Sequence, residues 1–116
     1  MAYVPDQGHV VWLTFDPQAG HEQAGRRPAI VLTPATYNRR IGLLLACPVT
    51  SQIKGYPFEV PLPENLPVSG VALSDQVKSA DWRARRATFI CAVSPSTLAD
   101  IVSKFCTLLP KPPGQA

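Results

Sequence analysis

No apolar stretch in this sequence approaches the roughly 20 residues that a helix needs to cross a bilayer. The N-terminal MAYVPDQGHV also lacks the basic and apolar regions of a secretory signal. A cytoplasmic setting with no membrane association is therefore expected. Cysteine is scarce: Cys47, Cys91 and Cys106 form an odd set without CxxC spacing, each inside an apolar run. That argues against a disulfide framework and for reduced, buried thiols. Histidine is scarcer still. His9 and His21 stand at no ligand spacing from any cysteine, so no metal site is expected. Glycine-rich nucleotide loops, nucleophile elbows and zinc-helix motifs are all missing, and no cofactor is expected.

Charge is sparse at 16% against 46% hydrophobic residues, which reads as globular rather than disordered. With 116 residues the chain has the length of one domain and one core, with residues 110–116 as a frayed proline-terminated tail. What the sequence has in quantity is proline. Its 13 prolines break the chain often and favour short strands over long helices. The formal charge is +3 and the excess gathers in arginine pairs, Arg26-Arg27, Arg39-Arg40 and Arg85-Arg86. Clustered basic charge suits a polyanionic partner, although charge alone slightly favours a solvated surface.

Alternating apolar residues predict a first strand over His9–Asp16, with Val11, Leu13 and Phe15 on one side and Val10, Trp12 and Thr14 on the other. Residues 18–27 form a polar connection whose length points to function. A second strand is expected over Pro28–Thr33. Thr33-Pro34 then reads as an N-cap and first helical position, opening a single turn through Tyr37. A third strand, Gly42–Val49, is apolar enough to be buried on both faces. Short strands are expected at Phe58–Leu62, Gly70–Leu73, near Val77, and at Ala87–Val93. From Ser94 onward, Leu98, Ile101, Val102 and Phe105 recur at helical spacing and predict an amphipathic C-terminal helix laid on a sheet. The sum is a mainly β architecture with some α: a small, strongly bent antiparallel sheet or partly open barrel. Its apolar surface exceeds what one helix covers, so Trp12, Leu43 to Leu45 and Phe89 point to a homodimer.

If the second and third strands pair antiparallel, the start of one meets the end of the other. Arg27 and Thr50 then become neighbours, and Glu22 on the polar loop can reach the same spot. A planar cation, a hydroxyl and a carboxylate suit a phosphodiester. Each also has an ordinary reading as a solvated charge, a turn residue or a soluble loop residue. His9 reads as structural, whereas His21 beside Glu22 is a proton carrier by type.

The blocks EQAGRRPAIVL, CPVTSQIKGYPFEVPL and VALSDQVKSADWRARRAT, with the opening VPDQGHVVWLTFDPQAG, resemble the MazF/PemK family of toxin endoribonucleases over nearly the whole chain. The resemblance implies an SH3-like barrel of the kind shared with the CcdB gyrase poisons, a homodimer, and sequence-specific, metal-independent cleavage of single-stranded RNA, mainly mRNA. It makes Arg27 and Thr50 the catalytic pair and carries the family's leading glutamate onto Glu22, read here as general base. The RNA-binding set would be Arg26, His21, Gln23, Lys54, Tyr56, Phe15, Gln76 and Lys78, with Tyr56 and Phe15 as stacking surfaces. Some members have a histidine where this chain has Arg26, which leaves His21 to stand in for it. The expected regulator is an antitoxin whose acidic, disordered tail lies across Arg26, Arg27 and Lys54. The competing readings are a non-enzymatic gyrase poison, and a plain SH3-like binding module or inactive relic.

Overall fold

The computed structural model describes residues 2–15 and 25–114. Among these residues seven strands and two helices follow in the order β1 (His9–Thr14), β2 (Arg26–Val31), α1 (Ala35–Ile41), β3 (Leu43–Thr50), β4 (Glu59–Pro61), β5 (Val71–Leu73), β6 (Lys78–Asp81), β7 (Thr88–Ala92) and α2 (Pro95–Cys106). All pairings are antiparallel, and the sheet runs β4-β5-β3-β2-β1-β7 with β6 also on β3. This is the mainly β, bent-sheet architecture with a C-terminal helix that the pattern predicts.

β3 organises the curl. One edge pairs with β2 through Ala46–Pro48. The other edge is divided: Leu43–Ala46 pair with β6, and Val49 and Thr50 pair with β5. A strand that serves three partners cannot lie in one flat sheet. A register shift between Val10 and Val11 in the β1–β7 pair adds a second bend.

Strand alternation fills two cores from the same residues. Val10, Ile30 and Cys47 point into one, where Val60, Leu62, Ala72 and Ile101 of α2 close it. Val11, Val31 and Ala46 point into the other, closed by Leu13, Phe15, Leu44 and Trp82. Cys47 is fully buried, and burial pushes its thiol up to about 12. Cys91 is half-buried and Cys106 exposed, so only the first cysteine fits the expectation of a buried thiol.

Several boundaries differ from the sequence reading, for physical reasons. β2 begins at Arg26 instead of Pro28, because Arg26 and Arg27 pair with Thr14 and Leu13 of β1. α1 runs two turns to Ile41. Its N-cap is Pro34, and Thr33 caps nothing there: its hydroxyl donates to Asn38 Oδ1 and accepts from the Leu45 N–H. α2 starts as expected, with Ser94 Oγ accepting from the Thr97 N–H and Pro95 at the first position. Its apolar stripe is only partly covered, since Ile101 is buried and Val102 is 39% exposed.

Asn38 ties α1 to both its neighbours while fully buried. Its Nδ2 donates to Pro5 O and Thr33 O, at 2.8 and 3.0 Å, and its own carbonyl accepts from Trp82 Nε1 at 2.9 Å. Asn38→Ala leaves the buried Pro5 carbonyl and the part-buried Thr33 carbonyl without this donor. The expected cost is about 2–4 kcal/mol of stability, read as a lower urea midpoint with an unchanged slope.

Candidate functional site

The β2–β3 register sets Ala29 opposite Pro48 and Val31 opposite Ala46. The pairing ends at Ala29–Pro48, and Thr50 pairs with Val71 of β5; the same register continued by two residues would bring Arg27 level with Thr50. The alternation also puts both on one side of the sheet, because Ala29, Val31 and Ala46 share a core and Arg27 and Thr50 fall at even spacings from them. Arg27 is half-buried, as its place between Leu13 of β1 and the end of β3 requires.

Thr50 is the last residue of β3 and only 4% exposed. Two contacts fix it. Its Oγ1 accepts from the Gln52 N–H at 3.1 Å, which turns the chain sharply away from the strand. Gly70 lies against its carbonyl on the other side. A Cβ at Gly70, where φ is +117°, would fall 2.1 Å from Thr50 O, so glycine alone permits this approach.

Beside Thr50 opens a cleft of about 370 Å³, lined also by Gln52, Lys54, Tyr56, Glu59, Leu73, Asp75 and Gln76. The predicted residues Lys54, Tyr56 and Gln76 are therefore gathered at Thr50. Glu59 builds the loop that carries two of them. Its Oε2 accepts from the Lys54 N–H at 2.9 Å and its Oε1 from the Gly55 N–H at 2.8 Å, holding residues 51–58 against β4. Tyr56 donates its hydroxyl to Asp75 Oδ1 at 2.8 Å. Burial, then the Asp75 carboxylate, pushes the Tyr56 phenol up to about 12, so it stays a neutral donor at working pH.

Other predicted residues serve elsewhere. Phe15 is 3% exposed and belongs to the core with Leu13 and Trp82, so it has no free face for a base. That corrects its reading as a stacking surface: the strand alternation that aims Leu13 inward aims Phe15 inward too. Arg26 is likewise a structural residue. Its guanidinium donates to Thr14 Oγ1, Arg85 O, Arg86 O and Thr88 Oγ1, at 3.2, 3.3, 2.6 and 3.0 Å. It clamps the loop between β6 and β7 onto β1, and Arg85 helps by donating to Thr14 O. One arginine from each of two pairs, Arg26 and Arg85, thus stitches the fold. Lys78 lies on β6 opposite Ala46 and lines a small gap with Leu13, Phe15 and Arg85, apart from the Thr50 cleft. His9 is structural, as expected. Its Nδ1 takes the Asp6 N–H at 3.2 Å and meets the Tyr3 hydroxyl at 2.7 Å. Glu22, His21 and Gln23 lie outside the described residues.

Asp75 is the site residue that sequence reasoning missed. The available signal was a lone carboxylate, in VALSDQVKS, within a block otherwise read as basic and RNA-facing.

Comparison with known proteins shows the family and the fold. The family described as "PemK-like, MazF-like toxin of type II toxin-antitoxin system" matches residues 6–109. The endoribonuclease toxin MazF of Escherichia coli K12 is 52% identical over 107 residues, which span 92% of this chain and 96% of that protein. The crystal structure of MazF from Deinococcus radiodurans has a TM-score of 0.90 at 59% identity, covering 93% of this chain and 98% of its own. A chain of a MazE–MazF complex from the same organism has a TM-score of 0.85 at 59% identity, covering 93% and 97%.

Proposed function

The chain belongs to the PemK-like, MazF-like toxins of type II toxin–antitoxin systems, and on that premise we propose that it cuts single-stranded RNA by letting the RNA attack itself. The observation that carries this reading is the cleft that opens beside Thr50, lined by Lys54, Tyr56 and Gln76; the β2–β3 register, continued past Ala29–Pro48, supports a place for Arg27 near Thr50. Relatives named endoribonucleases at 52% identity support it over the gyrase-poison and binding-module readings.

The ribose 2′-hydroxyl attacks the adjacent phosphorus. A P–O2′ bond forms, the P–O5′ bond breaks, and the products are a 2′,3′-cyclic phosphate and a 5′-hydroxyl. The 2′ proton goes to a base, a role we give to Glu22 from the family resemblance, and the leaving 5′ oxygen takes up a proton. A guanidinium is a permanent cation, so the role given to Arg27 is electrostatic, on the transition-state oxygens. The Thr50 hydroxyl donates a further hydrogen bond to phosphate. Cleavage of mRNA at short sequences would stop translation and growth, acting where mRNA lies, in the cytoplasm.

The test is one gel: purified protein with EDTA and a mixed-sequence RNA. Discrete fragments with 5′-hydroxyl ends are expected. Intact RNA together with inhibited gyrase would overturn the reading.

Two partners follow. A second copy of the chain is supported by the exposed apolar residues Trp12, Leu43 and Phe89, at 41, 37 and 48%; Leu44 is fully buried and is not among them. A MazE-like antitoxin is supported by the MazE–MazF complex of the Deinococcus relative. An acidic tail would place carboxylates where phosphates sit, at Arg27 and Lys54. Its affinity should then fall steeply as salt rises, measured by calorimetry at several ionic strengths. Affinity independent of salt would count against the tail mimicking RNA.

A further inference from the structure

A carboxylate is an unexpected lining for a cleft that must accept a polyanion. Two line this one, Glu59 and Asp75. Glu59 is accounted for, since it is 9% exposed and both its oxygens hold backbone N–H groups. Asp75 is not. It is exposed and makes one hydrogen bond, through Oδ1 to the Tyr56 hydroxyl. Its Oδ2 has no hydrogen-bond partner among the described residues.

We infer that Asp75 is a base-reading residue, whose Oδ2 selects a nucleobase carrying an exocyclic amino group and rejects uracil. The inference rests on the endoribonuclease reading and deepens it. Like charge keeps a phosphate away from Asp75, so the group that meets it is the neutral part of the nucleotide. An ionised carboxylate only accepts hydrogen bonds. Adenine, cytosine and guanine each offer an amino donor on the edge that single-stranded RNA exposes. Uracil offers an N–H flanked by two carbonyl oxygens, which face the carboxylate with like partial charge.

The Tyr56 bond gives the carboxylate one orientation. By fixing Oδ1, it leaves Oδ2 as the reading atom. The Tyr56 ring stands beside it as a stacking surface for the same base. Gln76, next in sequence, shares the same cleft wall. Lys54 on the facing loop takes the phosphate. The cleft thus separates a cationic path for the backbone from an anionic reader for the base.

Asp75→Asn is the informative change. The amide oxygen still accepts from Tyr56, while the second position turns from acceptor to donor. The wild-type protein and this variant are given a pool of RNA oligonucleotides with one randomised stretch, and the new 5′-hydroxyl ends are sequenced. In the wild type, one position of the cleavage motif should disfavour uracil by about tenfold or more. In Asp75→Asn that preference should vanish or reverse, the other motif positions and the urea midpoint staying as they were.

A second measurement removes the amino group instead. Purine riboside in place of adenosine at that position should slow the wild type by about tenfold, and should slow Asp75→Ala no further than the substitution already does. Two results overturn the inference: a wild-type motif with no position that excludes uracil, or an unchanged motif in Asp75→Asn. RNA left intact by the wild type removes the endoribonuclease reading itself, and this inference with it. A purely structural Asp75 would lower cleavage of all sequences alike.

Discussion

Replacing Arg27 by alanine should slow RNA cleavage by a factor on the order of a hundred or more, with the fold retained. The size follows from what the residue supplies. The pentavalent transition state carries more negative charge on its equatorial oxygens than the diester does. A guanidinium held in place meets that charge without reorganising, whereas water must turn to meet it. Losing one such pre-aligned donor costs roughly 2.7–4 kcal/mol in other enzymes that stabilise an oxyanion, which is the hundred- to thousandfold quoted. The fold should survive because β2 is held by β1 from Arg26 to Ile30 and by β3 from Ala29 to Val31, through backbone bonds that a side-chain truncation leaves alone. Arg27→Lys keeps the charge and loses the fork, so it should recover only part of the rate. Single-turnover cleavage of one defined oligonucleotide, beside a urea melt, gives both readings. A normal rate in a folded Arg27→Ala would remove the residue from the chemistry.

A single 2′-deoxy substitution at the nucleotide 5′ to the cut should abolish cleavage altogether. No protein group in the proposed route attacks phosphorus. The nucleophile belongs to the substrate, and deoxyribose lacks it. Affinity should change only a few-fold, because the phosphates and the base edges are untouched. Gel shifts with the substituted oligonucleotide, which doubles as a non-cleavable ligand, measure that affinity. Cleavage at normal rate would mean that water or a side chain attacks instead, and the role given to Glu22 would have to be rewritten.

How far the sequence foretold these features depends on the range of the interaction concerned. The Ser94-Pro95 cap and the spacing of Leu98 and Ile101 are local signals, and α2 begins where they place it. The period of two in His9–Thr14 sorts Val10 and Val11 into different cores as written. Thr33-Pro34 misled, because a hydroxyl that resembles a cap was instead recruited by buried Asn38 and the Leu45 backbone. Of the site, Thr50, Lys54, Tyr56 and Gln76 came together as read, on one cleft. Arg26 did not join them. Its partners are Arg85, Arg86 and Thr88, some 60 positions away, and no spacing rule reaches that far.

The sequence by itself determined the family, the mainly β architecture and the residue types available for work on a phosphodiester. Those properties reside in motif order, alternation and composition, each of which a linear string carries in full. Only the tertiary structure decided how each side chain is employed: Phe15 in the core, Arg26 spent on carbonyls, Asp75 left facing a cleft with one oxygen free of protein partners among the described residues. The physical reason is that burial and hydrogen-bond occupancy depend on contacts between distant segments, fixed here by the register of β3 against β2, β5 and β6.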